Sequence, residues 1–402
     1  MLVTRFLGRE PTRAYEDALR AMSALDWTGG RGRPGLIAYL PSFHGNPFQE
    51  LLYSRLDSVG LQAVPVYDSE TALRLVDAAV AQDLDVIVHA HWLNVITARA
   101  ADEATARSNA KEFLDRLYGA KERGARLLWT VHNVLPHENQ YPDVDVELRR
   151  SVVELVDRVH VMSPKTSILV SQWFELPEAK TFVVPHPSYQ GVYPSWMTRE
   201  QARVRLGIPQ GAVVFLLIGA VKPYKGLTEL LAAFDELSRQ EPGKYILLVA
   251  GNPSDDEETE LFCEQAITHP AIYATFGKIP YEDMQVYLRA ADLGVFPYRR
   301  SLNSGALALT TTFGLPAVLP SHSGEAAGVD ESYAEIYDAA AADGLLRALY
   351  AATQRLLTTE ARDAALAASE RAATPVVASA FADAVREWID EYTTDEPPSH
   401  AS

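Results

Sequence analysis
The stretch Val213–Leu231, VVFLLIGAVKPYKGLTELL, decides the fold. Its first six residues form an unbroken apolar run rich in β-branched residues, the pattern of a parallel strand buried on both faces. Apolar residues at helical spacing resume after Lys225-Gly226. Strand, glycine-bearing turn and helix in direct succession make one βα unit. At the carboxyl end of such a strand Gly219 and Gly226 let backbone approach a ligand, the helix amino terminus favours an anion, and Lys222 and Lys225 supply charge. A diphosphate suits that loop. The plain alternative is an ordinary βα connection with two solvated lysines, so the surrounding sequence has to decide.

Working outward, the same period repeats along the 402 residues. Strand-like runs stand at Leu36–Leu40, Gln62–Val66, Asp85–His89, Arg126–Val131, Arg158–Met162 and Thr181–Val184. A second series follows at Val213–Ile218, Tyr245–Ala250, Ile272–Phe276, Leu293–Phe296, Ala317–Leu319 and Glu335–Tyr337. Helix-length segments separate them, among them Ala98–Arg123, Val146–Val156, Thr228–Gln240, Glu257–Thr268, Tyr281–Ala290 and Leu307–Phe313. Alternation of this kind predicts an α/β protein of two Rossmann-like halves facing across a cleft. The irregular YQGVYPSWMT stretch before Arg199 marks the expected boundary. The divisions are a helical extension over 1–34, a first domain over 35–195, a second over 196–374 and a final helix over 375–402. That helix carries Phe381, Val385, Trp388 and Ile389 on one stripe and is expected to pack back on the first domain.

Composition narrows the function. A formal charge of −17 disfavours nucleic acid and strongly anionic membranes as partners, and the single cysteine, Cys263, excludes a disulfide framework or a cysteine-rich metal site. No apolar run reaches the length of a membrane-spanning helix, and Arg5, Arg9 and Glu10 interrupt any signal-peptide core. The chain reads as cytoplasmic, a location compatible with peripheral contact at the inner face of the cell membrane.

A second anion site is expected where a strand ends at Pro297-Tyr298 and a helix starts after Asn303-Ser304-Gly305. Ser304 or Asn303 is placed to cap that helix, leaving the N–H groups of Gly305, Ala306 and Leu307 toward an anion. Two anion-binding loops at one sheet edge fit a dinucleotide-like or nucleotide-sugar ligand.

GAVKPYKGLTELLAAF, VAGNP, FGKIPYEDMQVYLRAADLGVFPY and SGALALTTTFGLPAV, in this order over residues 210–325, resemble the donor half of GT-B glycosyltransferases, nearest the retaining family 4 type. The resemblance implies that Lys222, Lys225, Asn303, Ser304, Gly305 and Ala306 hold the donor diphosphate, and that Gly251, Lys278 and Ile279 meet the nucleoside. It implies no cofactor beyond the nucleoside diphosphate sugar itself. One departure is plain: the family's two glutamates, eight residues apart, fall here on Ser301 and Leu309, so the donor sugar and the stereochemical course are not implied.

The first half offers PSFHGNPF (41–48), HAHWLN (89–94) and WTVHNVLPHE (129–138), each where a strand gives way to a loop. The last two are similar to HxHW and TxHNxxPHE stretches of bacterial polysaccharide glycosyltransferases. His132 is then the expected proton acceptor or donor-sugar contact, with His137 and Glu138 as an alternative base and its orienting carboxylate. His44, Gly45, Asn46, His91, Trp92 and Asn94 are the expected acceptor- or sugar-side residues. His89, between Val88 and Ala90, reads instead as a hydrogen-bonded core residue. A zinc site on His89, His91, His132 and His137 lacks both HExxH and CxxC, and the DVDVE run at 143–147 lies in the wrong half for a donor metal, so no metal is expected. The expected reaction moves a hexose-type sugar from a GDP- or UDP-sugar to a hydroxyl of a saccharide, lipid-linked or small-molecule acceptor. A GT-B epimerase and a non-catalytic sugar-nucleotide binder share these features and stand as alternatives.

Overall fold
A computed structural model describes residues 14–25, 32–43, 45–135 and 140–394. The apolar runs form strands within one residue of the expected limits at either end. β1 (Gly35–Leu40), β2 (Leu61–Pro65), β3 (Asp85–Ala90), β4 (Arg126–Thr130), β5 (Arg158–Val161) and β6 (Thr181–Val183) make one sheet, in the order β2-β1-β3-β4-β5-β6. β7 (Val213–Ile218), β8 (Tyr245–Gly251), β9 (Ile272–Phe276), β10 (Leu293–Val295), β11 (Ala317–Pro320) and β12 (Ala334–Tyr337) make the other, in the order β12-β11-β10-β7-β8-β9. All pairings between these strands are parallel. In each sheet the strand order reverses once, between β1 and β3 and between β7 and β10. Ligand crevices of doubly wound sheets open at the carboxyl ends of strands at such points.

The chain divides into two compact units, residues 1–187 with 374–402, and residues 188–373. The boundary therefore precedes the expected 195–196 division. The reason is local: Ser188 N–H donates to Ala372 O at 2.7 Å and Tyr189 N–H to Thr312 Oγ1 at 3.1 Å, which commits the irregular stretch to the second unit. Helix expectations also change, most of all before β4. Ala98–Arg123 splits into Asn94–Thr97 and Glu103–Glu122 because Asp102 caps the latter, accepting from Thr105 N–H at 2.7 Å. A helix outside the expected pattern, Ser69–Val80, is capped by Asp68 and buries Ala72, Leu75, Val76 and Ala79.

The final helix, Thr374–Thr394, belongs to the first unit. Its stripe of Phe381, Val385, Trp388 and Ile389 is at most 3% exposed and packs on helix Phe48–Leu52 and the turn Leu56–Val59. Burial of such side chains stabilises by about 1.5–3 kcal/mol each. Arg386 pins the helix further, donating to Arg33 O at 2.9 Å and standing 3.5 Å from Asp85 at the start of β3. No helix among the described residues is long and apolar enough to cross a membrane.

Candidate functional site
In the second unit the loop after β7 leaves the sheet at the reversal point. Gly226 has φ +70°, and a Cβ there would lie 2.1 Å from Pro297 O, so glycine alone lets this loop lie against the exit of β10. Lys222 is half-buried at the start of the turn Pro223–Lys225, close enough to Asp256 to favour that carboxylate's ionised form. Lys225 does not fit the alternative of a solvated loop lysine. It is 3% exposed, its Nζ donates to Ile218 O at 2.8 Å, and it sits 5.6 Å from the Tyr298 ring centroid. Burial pushes its pKa down to about 7. The ammonium group lies under Gly219, 3.2 Å from where a Cβ of that residue would stand, so the missing side chain is what leaves a path to it.

The second loop leads into helix Gly305–Thr312. Ser304 is its cap, with Oγ accepting from Leu307 N–H at 3.1 Å. The expected third donor, Leu307 N–H, is thus already bonded, and Gly305 and Ala306 keep the first-turn N–H groups that lack intrahelical partners. Tyr298 links the two loops: Lys225 stands over its ring, and its hydroxyl is 3.5 Å from Ser304 Oγ. Asn303 contributes its carbonyl, which accepts from Ser301 Oγ at 3.3 Å.

Glu325 has no counterpart among the expected residues. It follows β11 and accepts a short hydrogen bond from Ser301 Oγ, while its other oxygen, Oε2, is shielded from solvent without a hydrogen-bond partner. Burial holds its carboxyl above the usual range, favouring the protonated, hydrogen-bond-donating form. Gly324 makes this possible: its N–H donates to Ser301 O at 2.9 Å, and a Cβ would lie 2.2 Å from Leu302 O. The carboxyl therefore stands beside Ser301, one of the two positions where the resemblance leads one to expect a glutamate. A Gly-Glu pair after a strand was the available sequence signal, but only the β10–β11 pairing brings it to Ser301.

Of the expected nucleoside contacts, Lys278 is exposed and Ile279 half-buried after the edge strand β9. Gly251 is buried, and a Cβ there would overlap Gly219 O at 1.8 Å. Its requirement for glycine is explained by close packing of the β7 and β8 ends.

In the first unit the reversal point brings the loops after β1 and β3 together, with β4 beside them. Asn46 Oδ1 accepts from Phe48 N–H at 3.0 Å just ahead of helix Phe48–Leu52, whereas Gly45 is exposed with open space around it. His44, His137 and Glu138 lie outside the described residues. Asn94 begins a short helix and keeps Oδ1 buried without a partner. His91 and His132 are brought together, with Nδ1 of the former 2.9 Å from Nε2 of the latter. Trp92 stacks on the His132 ring, centroids 4.1 Å apart and planes inclined by 19°, and Phe48 meets it edge-on at 5.2 Å.

Behind His91 the contacts continue. Tyr53 OH is 2.6 Å from His91 Nε2 and 2.7 Å from His89 Nδ1, His89 Nε2 is 2.7 Å from Thr130 Oγ1, and Thr130 Oγ1 is 3.0 Å from His160 Nδ1. His160 Nε2 lies 2.8 Å from Val184 O. Burial holds the imidazoles of His89, His91 and His132 well below their ordinary pKa, and that of His160 at about 4. Ring nitrogens of these histidines are engaged with one another, Tyr53, Thr130 and backbone. Among the described residues no group of three or more potential ligands is arranged for a metal. Tyr53, Thr130 and His160 escape a sequence reading because they come from a helix end, the end of β4 and the neighbouring strand β5. A hollow of about 220 Å³ opens nearby at the β1–β3 crevice, lined by Leu40, Trp92, Leu93, Ile96, Phe113 and Asp68 among others.

Residues 198–347 match the family described as glycosyl transferases group 1. The chain is 25% identical over 277 residues to a GDP-mannose:glycolipid 4-beta-D-mannosyltransferase of Xanthomonas campestris pv. campestris, covering 66% of this chain and 72% of that protein. It is 31% identical over 148 residues to a D-inositol 3-phosphate glycosyltransferase of Saccharomonospora viridis, 34% of either chain. The structure of Anabaena HepE in complex with UDP aligns with a TM-score of 0.65 at 13% identity, covering 88% of this chain and 100% of that one. With the two parallel six-stranded sheets, these matches support a glycosyltransferase of GT-B fold whose residues 198–347 are of the glycosyl transferases group 1 type.

Proposed function
We propose that the protein transfers a hexosyl group from a nucleoside diphosphate sugar to a hydroxyl of a saccharide or glycolipid. The observation that carries this reading is the meeting of Lys225 and the first turn of helix Gly305–Thr312 around Tyr298, at the β7–β10 reversal. Charge builds on the diphosphate as the glycosidic bond breaks, so a cation and two backbone N–H groups there bind the transition state more tightly than the ground state. Lys222 adds a second charge from the same loop, and this reading needs no metal or cofactor. Glu325 and Ser301 offer hydroxyl-recognising groups beside that anion site, suited to the donor sugar. Lys278 and Ile279 are assigned to the nucleoside, and His132 is the proton acceptor for the attacking hydroxyl. The apolar hollow at the β1–β3 crevice suits the less polar part of a glycolipid.

The Xanthomonas relative is named for GDP-mannose and a glycolipid, which makes that donor and a lipid-linked saccharide the first pair to test, with UDP-glucose second. The assay incubates the protein with each donor, with and without acceptor, and measures nucleoside diphosphate and sugar configuration. Nucleoside diphosphate released in an acceptor-dependent way is the expected result. Epimerised donor, or donor binding with no turnover against any acceptor, sinks the proposal.

A further inference from the structure
The buried contacts that run from Val184 to His132 have only one consistent set of proton positions. Val184 O can only accept, so His160 carries its proton on Nε2 and, being neutral, accepts at Nδ1. Thr130 must then donate its single hydroxyl proton to His160, and its oxygen accepts from His89 Nε2–H. Neutral His89 accepts at Nδ1, which takes the Tyr53 hydroxyl proton, and the phenolic oxygen accepts from His91 Nε2–H. His91 accordingly accepts at Nδ1, and the donor to it is His132 Nε2–H. Each step forces the next.

We infer that this chain of buried hydrogen bonds, anchored on the Val184 carbonyl, locks His132 in the Nε2–H tautomer and makes Nδ1 its basic nitrogen. Tyr53, His89, His91, Thr130 and His160 are positioning residues that act through one another. The bonds from Val184 to His132 run through imidazoles, two hydroxyls and a backbone carbonyl, with no carboxylate in the series. Every member is at most 8% exposed, which keeps water from offering a competing partner. Ring stacking fixes what the hydrogen bonds leave open, since Trp92 and Phe48 hold the plane of His132 from its face and its edge.

The catalytic meaning of the lock rests on the reading of His132 as proton acceptor, and the test separates the two. With histidine labelled in ¹⁵N, two-bond proton–nitrogen correlation spectra of the full chain at pH 7.5 read each tautomer directly. The expected spectrum shows Nε2–H for His89, His91, His132 and His160, and Nδ1–H for His186, whose Nδ1 lies 2.7 Å from Pro187 O. Tyr53→Phe keeps the ring but removes the central hydroxyl. It should give mixed tautomers at His91 and His132 and lower kcat about 10-fold, with donor KM within about twofold of the parent, the pattern of a misoriented base in a folded enzyme. A parent spectrum with His132 protonated on Nδ1 overturns the lock, whatever the turnover. The predicted spectrum together with full turnover in His132→Ala leaves the hydrogen bonds real, but overturns Nδ1 as the base and with it the role proposed for His132.

Discussion

Phe381, on the last helix, stacks on the His89 imidazole with centroids 5.8 Å apart and planes inclined by only 12°. The same ring meets Tyr53 at 5.9 Å and His160 at 5.3 Å edge-on, so one aromatic side chain covers three members of the buried chain. Phe381→Ala should cost about 3–5 kcal/mol of first-unit stability, the range for a fully buried phenylalanine. Nucleoside diphosphate affinity, assigned to the second unit, should stay within a factor of about two. Urea unfolding followed by a first-unit probe, beside calorimetric titration with GDP and UDP, reads both; unchanged stability would mean that the aromatic lid is not what holds the helix down.

Lys225 ties ligand affinity to pH. Its pKa of about 7 means that it carries a proton below neutrality and loses it above, so at pH 8.5 a diphosphate must bring a proton in from solvent as it binds. Affinity should fall with rising pH, at most about tenfold per unit above pH 7, and titration in buffers of different ionisation enthalpy should show net proton uptake. Lys225→Met should abolish the uptake and lower kcat/KM by roughly 2–4 kcal/mol. Equal proton uptake in parent and variant would place the anion elsewhere.

For Glu325, two substitutions discriminate between forms of the carboxyl. If the buried acid works protonated, Glu325→Gln supplies a donor of the same shape and should keep turnover within about threefold, whereas Glu325→Ala should lose tenfold or more and raise donor KM. A glutamine variant as impaired as alanine would show that the negative charge is what matters. An alanine variant with parent kinetics would remove Glu325 from the donor site altogether.

Acid should weaken the first unit through His160. Its imidazole is neutral in the fold down to about pH 4 but titrates near 6.5 when unfolded, so between those values the unfolded chain binds more protons. The contribution is intact above pH 6.5 and is lost as pH falls through the window, about 2 kcal/mol by pH 5 from this residue alone. Denaturant midpoints at pH 7.5 and 5.0 measure it. If His160→Gln shows the same acid sensitivity as the parent, the loss arises from other groups.

The strands were legible because buried parallel strands are written as continuous apolar runs, and all twelve sit where those runs do. The glycine-lysine loop after β7 was legible for the same reason, since strand, turn and helix are contiguous. What sequence did not carry is any pairing between separate loops. Lys225 stands out in sequence as an anion-binding candidate, but its burial under Gly219 exists only in the fold, and Glu325 belongs to no motif until parallel pairing of β10 and β11 lays it on Ser301. Histidines at 89, 91 and 132 stood out by type, but Tyr53 and Thr130, which join them, are ordinary residues whose role exists only in three dimensions.

The return of residues 374–394 to the first unit sets the order in which the protein is completed during synthesis. Residues 1–187 leave the ribosome without Phe381, Val385, Trp388 and Ile389, so their sheet can form while the face that those side chains cover stays wet. The second unit, whose strands and helices lie within 188–373, can close before the first is sealed. Translation thus makes the second unit whole before the helix that covers the histidine-bearing face of the first unit has been made.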